Sequence, residues 1–290
     1  MKVCGFTFIR NAVKFDYPII EAIRSILPLC DEFVVAVGNS EDATLNLIQN
    51  ICPEKIRILE TVWDDTLREG GRVLALETDK AFRAIGDEID WCFYIQGDEV
   101  VHENYLPVIK SAMEKYRDNP KVDGLLFKYL HFYGSYDYVG ESSRWYRHEI
   151  RIIKNNKNIY SYRDAQGFRK DHNKKLRVKP VNAYIYHYGW VKDPGAMQKK
   201  IESFNKFWHD DRWIEKNIVK AAEFDYSNID ILSKFNHTHP AVMQERIHLT
   251  NWFFDYDLSC NRMKFKEKFK KIMRDKFNIS VGEYRNYKLF

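Results

Sequence analysis

The chain has 290 residues, 45% of them hydrophobic and 30% charged. That length allows one large domain or two modest ones, and that composition excludes a disordered chain and a disulfide miniprotein. The net charge is +5, but residues 262–276 (RMKFKEKFKKIMRDK) alone carry +6, so the remaining residues sum to −1 and do not describe a nucleic-acid-binding body.

No uncharged apolar run approaches the ~18 residues of a membrane-spanning helix. The opening MKVCGFTFIRNAVK lacks a secretory apolar region and a small-residue cleavage site, so a cytoplasmic location is expected. The five cysteines are widely spaced, form no CxxC pair and read as buried thiols in a reducing compartment.

The first 130 residues alternate between strand and helix patterns. Lys2–Phe8 reads as a short apolar strand. Asp16–Leu29 has Pro18 early and helical spacing at Ile19, Ile20, Ile23, Ile26 and Leu27. Phe33–Val37 is a continuous apolar run, the mark of a strand buried on both faces. Ser40–Asn50 starts with a Ser cap and acidic residues, as a helix does. Lys55–Leu59 reads as a strand, Gly71–Ile85 as a helix, Trp91–Ile95 as a strand, Glu103–Tyr116 as a helix and Val122–Phe132 as a longer strand. This β-α-β-α-β-α-β order predicts an α/β fold with a mainly parallel sheet and right-handed crossovers.

Beyond Tyr133, aromatic and basic residues mix with short strands at Glu149–Lys154, Ile159–Tyr162 and Ala183–His187. Helices are predicted at about Gly195–Trp208 and Trp213–Glu223. In 262–276, an amphipathic helix would put Phe265, Phe269, Ile272 and Met273 on one face. It would dock on the body of the protein or touch an anionic membrane surface.

Ligands of open α/β sheets bind beyond the carboxyl ends of the strands. After the first strand stands Ile9-Arg10-Asn11, either a polar loop or a ligand contact. After the second, Gly38-Asn39-Ser40-Glu41-Asp42-Ala43-Thr44 offers backbone donors and side-chain acceptors to a base or ribose, or simply caps a helix. After the third, Arg68 and the Gly70–Gly71 pair precede a helix start, where N–H groups favour anions. After the fourth comes Gln96-Gly97-Asp98-Glu99. Neighbouring side chains on an extended segment point apart, so one carboxylate can ligate Mg²⁺ or Mn²⁺ with a diphosphate while the other braces the loop. His187, in Tyr186-His187-Tyr188-Gly189-Trp190, becomes a ligand candidate if the fold carries it to Asp98.

These motifs, in this order, resemble the family-two glycosyltransferases of the GT-A fold over about residues 1–210. Val34–Thr44 looks like the family's V-V-D-x-S-x-D-x-T nucleotide turn, Gln96-Gly97-Asp98-Glu99 sits where it carries D-A-D-E, and Tyr186–Trp190 resembles its H-Y-G. Gly38 or Asn39 replaces the usual Asp of the turn, and Gln96 replaces the first Asp of the metal motif.

The resemblance implies a GT-A-like domain over 1–210, with a nucleotide-sugar half at 1–130 and an acceptor half at 131–210, and a helical extension at 211–290. It implies inverting transfer of a sugar from a nucleotide-diphosphate sugar to a glycan, lipid-linked or protein hydroxyl, with Mn²⁺ or Mg²⁺ on Asp98 and His187. Donor contacts would come from Arg10, Asn11, Asn39, Ser40, Asp42, Arg68, Gly70, Gly71, Gln96 and Gly97. The base should lie in the second half, where Asp137, Glu141, Glu149 and Asp164 are available. Asp164, in a small-residue turn after Ile159–Tyr162, leads and Glu141 follows; pairing of Asp164 with Arg163 or Arg169 is the structural alternative. Two rival readings are a nucleotidyltransferase, whose Gly-rich basic loop after the first strand is replaced by Phe8-Ile9-Arg10-Asn11, and a non-catalytic carbohydrate-binding protein.

Overall fold

The apolar run Phe33–Val37 is buried on both sides: Phe33, Val35 and Val37 join one core and Val34 and Ala36 the other. Trp91, Phe93 and Ile95 likewise face the first core while Cys92 and Tyr94 face the second. This period-two division is what a central strand covered by helices on each face requires. The computed structural model describes residues 1–229, 231–261 and 284–290, together with positions 269 and 273. Except for Phe269 and Met273, the amphipathic helix expected over 262–276 lies outside the described residues.

The parallel half of the sheet is built by β1 (Val3–Ile9), α1 (Ile19–Ile26), β2 (Glu32–Gly38), α2 (Thr44–Gln49), β3 (Ile56–Thr61), α3 (Arg72–Arg83) and β4 (Trp91–Tyr94). Then come β5 (Glu99–Val101), α4 (Leu106–Tyr116), β6 (Gly124–Tyr133), β7 (Ser135–Gly140), β8 (His148–Lys154), β9 (Ile159–Tyr162), β10 (Gly167–Lys170) and β11 (Lys174–Trp190). The later elements are α5 (Pro194–Phe204), α6 (Asp211–Asn217), β12 (Leu232–Lys234), α7 (Gln244–His248) and β13 (Tyr287–Leu289).

The strands follow the order β3-β2-β1-β4-β8-β6-β11-β10-β9. β1 is parallel to β2 and β4, β2 to β3, and β6 to β11, while β8 runs antiparallel between β4 and β6. The architecture is the α/β fold expected from the order of the predicted elements, parallel through β3-β2-β1-β4 and mixed beyond. β12 pairs with β7 and β13 with β11, so the 211–290 stretch contributes strands to the sheet as well as helices.

α1 buries Ile19, Ala22, Ile23 and Ile26, the spacing of one helical face, and each fully buried Ile contributes about 1.5–3 kcal/mol. The helix after β2 begins later than expected, at Thr44 with Ala43 before it, because Ser40 is engaged elsewhere. β11 is far longer than the Ala183–His187 strand read from the sequence. Among the described residues no helix is long and apolar enough to cross a membrane, and the five cysteines are free.

One buried ion pair joins the strands at the ligand edge. Glu99 and Arg151 are fully buried, with Nε to Oε2 and Nη2 to Oε1 each at 2.7 Å. Tyr129 Oη donates to Glu99 Oε1 at 2.7 Å, and the Gln96 N–H donates to Oε2 at 3.1 Å. Arg151 also donates to the carbonyl of Gln166 at 2.9 Å. Breaking such a pair strands a charge in the interior, so Arg151→Met should cost about 3–5 kcal/mol in urea unfolding. A Glu99→Leu/Arg151→Met double variant should recover most of that loss; a double variant as unstable as the single one would show that the charge is not the cause.

Candidate active site

Beyond the carboxyl ends of β1 and β4 lies a cleft of about 850 Å³. Its floor is the segment Gln96-Gly97-Asp98, and its walls come from the loops after β1 and β3, the 164–166 turn, the end of β11 and one face of α5. Eight of the residues expected to form a site line it: Arg10, Asn11, Arg68, Gln96, Gly97, Asp98, Asp164 and His187.

Asp98 and His187 meet on this floor, with His187 Nε2 3.8 Å from Asp98 Oδ1. The tautomer of His187 follows from its neighbours. His131 Nε2 lies 2.8 Å from the Tyr146 carbonyl, which can only accept, so this nitrogen carries the proton. Burial pushes the His131 pKa well down, so the ring is neutral and its Nδ1 is a lone pair. His187 Nδ1, 3.1 Å away, must therefore donate to it. Burial also lowers the His187 pKa, against the pull of Asp98. The neutral ring thus turns its Nε2 lone pair toward Asp98.

Burial alone would raise the Asp98 pKa, but positive charge around it, from Lys200 and Lys192, outweighs burial and holds the carboxyl down. Lys200 Nζ lies 3.4 Å from Asp98 Oδ2 and donates to the Gly189 carbonyl at 2.8 Å. Burial lowers its pKa while Asp98 opposes the shift. Lys192, also buried, donates to the Asp16 carbonyl, and burial brings its pKa down to about 7.

Asp98 and His187 fit a divalent cation. A Cβ at position 189 would lie 2.7 Å from Asp98 Oδ2 and 2.8 Å from His187 Nε2, so Gly189 keeps the space between these two donors open. A carboxylate with an imidazole suits Mn²⁺ or a similar ion. Among the described residues no cluster of three or more His, Cys, Asp and Glu side chains could hold a metal ion, so the remaining ligands would be phosphate oxygens and water. Glu99 takes no part in the cleft, since its carboxylate is spent on Arg151, Tyr129 and the Gln96 N–H.

On the donor side, Arg10 lies over the Trp63 ring at 5.6 Å and donates to Asp65 at 2.6 Å and to the Asn39 carbonyl at 3.1 Å. Arg68 pairs with Asp211 at 2.5 Å. Asp65 and Asp211 are 62% and 72% exposed. Such pairs contribute only about 0–1 kcal/mol, so both guanidiniums are available to an incoming anion. Gln96 donates to Tyr94 Oη at 3.2 Å and to the Ala165 carbonyl at 3.3 Å.

Asn39, Ser40, Asp42, Gly70, Gly71 and Glu141 do not line the cleft. The loops after β1 and β2 are knitted together instead. Asn39 Oδ1 accepts from the Trp63 N–H at 3.2 Å. Ser40 accepts from the Asn11 N–H and donates to the Gly38 carbonyl, both at 3.0 Å. Asp42 accepts from the Lys14 N–H at 2.7 Å and the Thr44 N–H at 3.0 Å. Gly70 and Gly71 adopt φ of 58° and 68°, where glycine is favoured. The Gly71 N–H donates to the Phe207 carbonyl at 3.0 Å, so it is not presented to a phosphate. Glu141 lies 3.6 Å from Arg147 and accepts from Ser233 at 3.3 Å, away from the cleft.

Asp164 lines the cleft, and burial raises its pKa. Neither arginine expected as its partner turns to it: Arg163 lies over the rings of Tyr162 and Tyr284, and Arg169 donates to Tyr284 Oη at 3.0 Å. Glu149 stands behind it, with Oε1 accepting from Gln166 Nε2 at 2.7 Å and Oε2 without a partner among the described residues. Burial pushes the Glu149 pKa up to about 8 against the pull of Arg151, and among the described residues Glu149 forms no ion pair, although its basic neighbours in sequence suggest one.

Lys200, Lys192 and His131 were not singled out from the sequence. Lys200 carried a signal: with Met197, Ile201 and Phe204 it falls on one helical face, and all four line the cleft. That face points inward because Asp193 caps α5, accepting from the N–H groups of Gly195 and Ala196 at 3.0 and 3.1 Å, with Pro194 in the first turn.

No protein-family model matches this chain, and no curated protein is similar enough to count as a match. Among solved structures it is similar to S. aureus TarS, with 14% identity over 70% of this chain and 39% of TarS and a TM-score of 0.39. It is also similar to glucosyl-3-phosphoglycerate synthase from Mycobacterium tuberculosis in complex with Mn²⁺, uridine diphosphate and phosphoglyceric acid. That likeness has 18% identity over 45% of this chain and 43% of the synthase, with a TM-score of 0.30. A third is 4-diphosphocytidyl-2C-methyl-D-erythritol synthase from Anaerococcus prevotii, at 11% identity, 71% and 94% coverage and a TM-score of 0.38. This chain thus spans less than half of the first two proteins.

The raised Glu149 pKa carries a sign that can be measured. Between the ordinary carboxyl value of 4.5 and about 8 the folded chain holds a proton that the unfolded chain has released. Stability from this residue is therefore complete below pH 4.5 and falls as pH rises toward 8, by at most about 1.4 kcal/mol per pH unit. Glu149→Gln, which copies the protonated form, should match the wild type near pH 4.5 and exceed its urea stability increasingly toward pH 8. A difference that does not change with pH would show that Glu149 is ionised in the fold.

Proposed function

We propose that this cleft transfers a sugar from a nucleoside-diphosphate sugar to an acceptor hydroxyl with inversion. The observation that carries the reading is the meeting, in one cleft beyond the strand ends, of an Asp98–His187 pair with open space between its donors and of Asp164, which among the described residues forms no ion pair with either neighbouring arginine.

Asp98 and His187 Nε2 would hold a divalent ion, which when bound supplies positive charge to the diphosphate oxygens. Arg10 and Arg68 exchange their exposed carboxylate partners for phosphate oxygens. Asp164 accepts the proton of the acceptor hydroxyl as its oxygen bonds to the anomeric carbon. The bond from that carbon to the phosphate oxygen breaks, and its electron pair leaves with the diphosphate. The transition state has oxocarbenium character, as in glycoside hydrolysis. Burial raises the Asp164 pKa, which makes it a better proton acceptor than an exposed aspartate. One carboxylate acting on an in-line displacement gives inversion at carbon.

Asp164→Asn should lower turnover by about 10²–10⁴-fold with nucleotide affinity unchanged. Asp98→Asn should instead weaken binding of the nucleotide sugar in the presence of Mn²⁺. Steady-state rates with a nucleotide-sugar panel and calorimetric titration separate the two. Wild-type turnover by Asp164→Asn removes it as the base, and unchanged nucleotide binding by Asp98→Asn removes the ion site.

A further inference from the structure

Among the described residues, Lys200 is the cation nearest Asp98 that no motif assigns. It projects from the inward face of α5, is 8% exposed and lines the cleft. Its ammonium has three N–H donors. One goes to the Gly189 carbonyl at 2.8 Å and a second points toward Asp98 Oδ2 at 3.4 Å. Charge-assisted N–H···O bonds close to about 2.7–2.9 Å, so the carboxylate does not saturate this ammonium. The rings of Tyr17 and Phe204, at 5.0 and 5.7 Å, form an apolar bed beneath it. An ammonium held there on a neutral carbonyl is oriented in advance and poorly served by water, which strengthens its pull on an anion.

The neighbouring carboxylates sharpen the case. The position two before Asp98 is Gln96, whose amide donates to Tyr94 and Ala165, so it adds no negative charge to the floor. Glu99 is neutralised by Arg151. Asp98 is therefore the one carboxylate of the 96–99 segment facing the cleft, and Lys200 already balances it.

We infer that Lys200 is a built-in cation for the diphosphate, which lets the cleft bind a nucleoside diphosphate without a divalent ion. The inference rests on the nucleotide-sugar reading above. The ammonium would donate to a phosphate oxygen of the donor and stay on it as negative charge accumulates on the departing diphosphate, while Gly189 holds the amine in place. A divalent ion on Asp98 and His187 would add to this binding.

The test is calorimetric titration of the full chain with UDP, GDP, ADP, CDP and dTDP, each in EDTA and in Mn²⁺. Wild-type protein should bind at least one of them in EDTA, and Lys200→Met should weaken that binding by about tenfold or more. Lys200→Gln, which can still donate to the Gly189 carbonyl, should be weakened alike, and thermal unfolding identifies which variant is folded and decides. Binding that requires Mn²⁺, or variants that bind in EDTA as the wild type does, would overturn the role of Lys200 and leave the nucleotide-sugar reading standing. If no nucleoside diphosphate binds in either buffer, that reading fails and this inference with it.

Discussion

The Glu99–Arg151 ion pair is the constraint on which both chemical ends of the cleft depend. Glu99 follows Asp98, and Arg151 holds the carbonyl of Gln166, two residues past Asp164. A bidentate pair with no exposure therefore links the turn that carries Asp98 to the turn that carries Asp164. Tyr129 adds β6 to the same knot. Desolvating two charges is costly, and a buried pair is weak evidence for stability as such. What it supplies here is placement, because a rigid, fully hydrogen-bonded network admits one geometry.

Around that fixed centre the polar groups of the cleft are arranged by how firmly they are already held. The imidazoles of His131 and His187 are neutral and locked to one another, so neither repels a cation on the floor. The rim guanidiniums of Arg10 and Arg68 form their ion pairs with exposed carboxylates, which water and salt screen. Deep groups are thus committed and rim groups exchangeable. An anionic ligand entering from solvent meets the exchangeable ones first.

The parallel half of the fold was readable because strands covered on both faces are written as continuous apolar runs, as in Phe33–Val37 and Trp91–Ile95. That Asp98, His187 and Asp164 line one cleft was readable because each stands just after a strand or near its carboxyl end. β11 was not: Lys174, Lys175, Arg177, Lys179 and Pro180 interrupt its first half, although Leu176 and Val178 between them are buried. Partners far away in the chain explain the other differences. Gly71 looks like an anion site until Phe207 takes its N–H, and Glu141 looks like a free loop carboxylate until Arg147 and Ser233 close on it. His131 reads as core within Lys128–Tyr133, and it is buried; only the pairing of β6 with β11 gives it a second role.

That pairing has one more consequence. His187 and Gly189 face the cleft, while Tyr186 and Tyr188 face the other way, into a cluster with Phe132. Phe132 stacks on Tyr188 with ring centres 4.7 Å apart, and Tyr188 Oη meets His239 Nδ1 at 2.8 Å. Sliding β11 by one residue would drive the tyrosines into the cleft and the imidazole into the aromatic cluster. The packed rings therefore act as a vernier for the opposite face of the strand. The position of the His187 imidazole is set by the fit of hydrophobic side chains that lie outside the cleft.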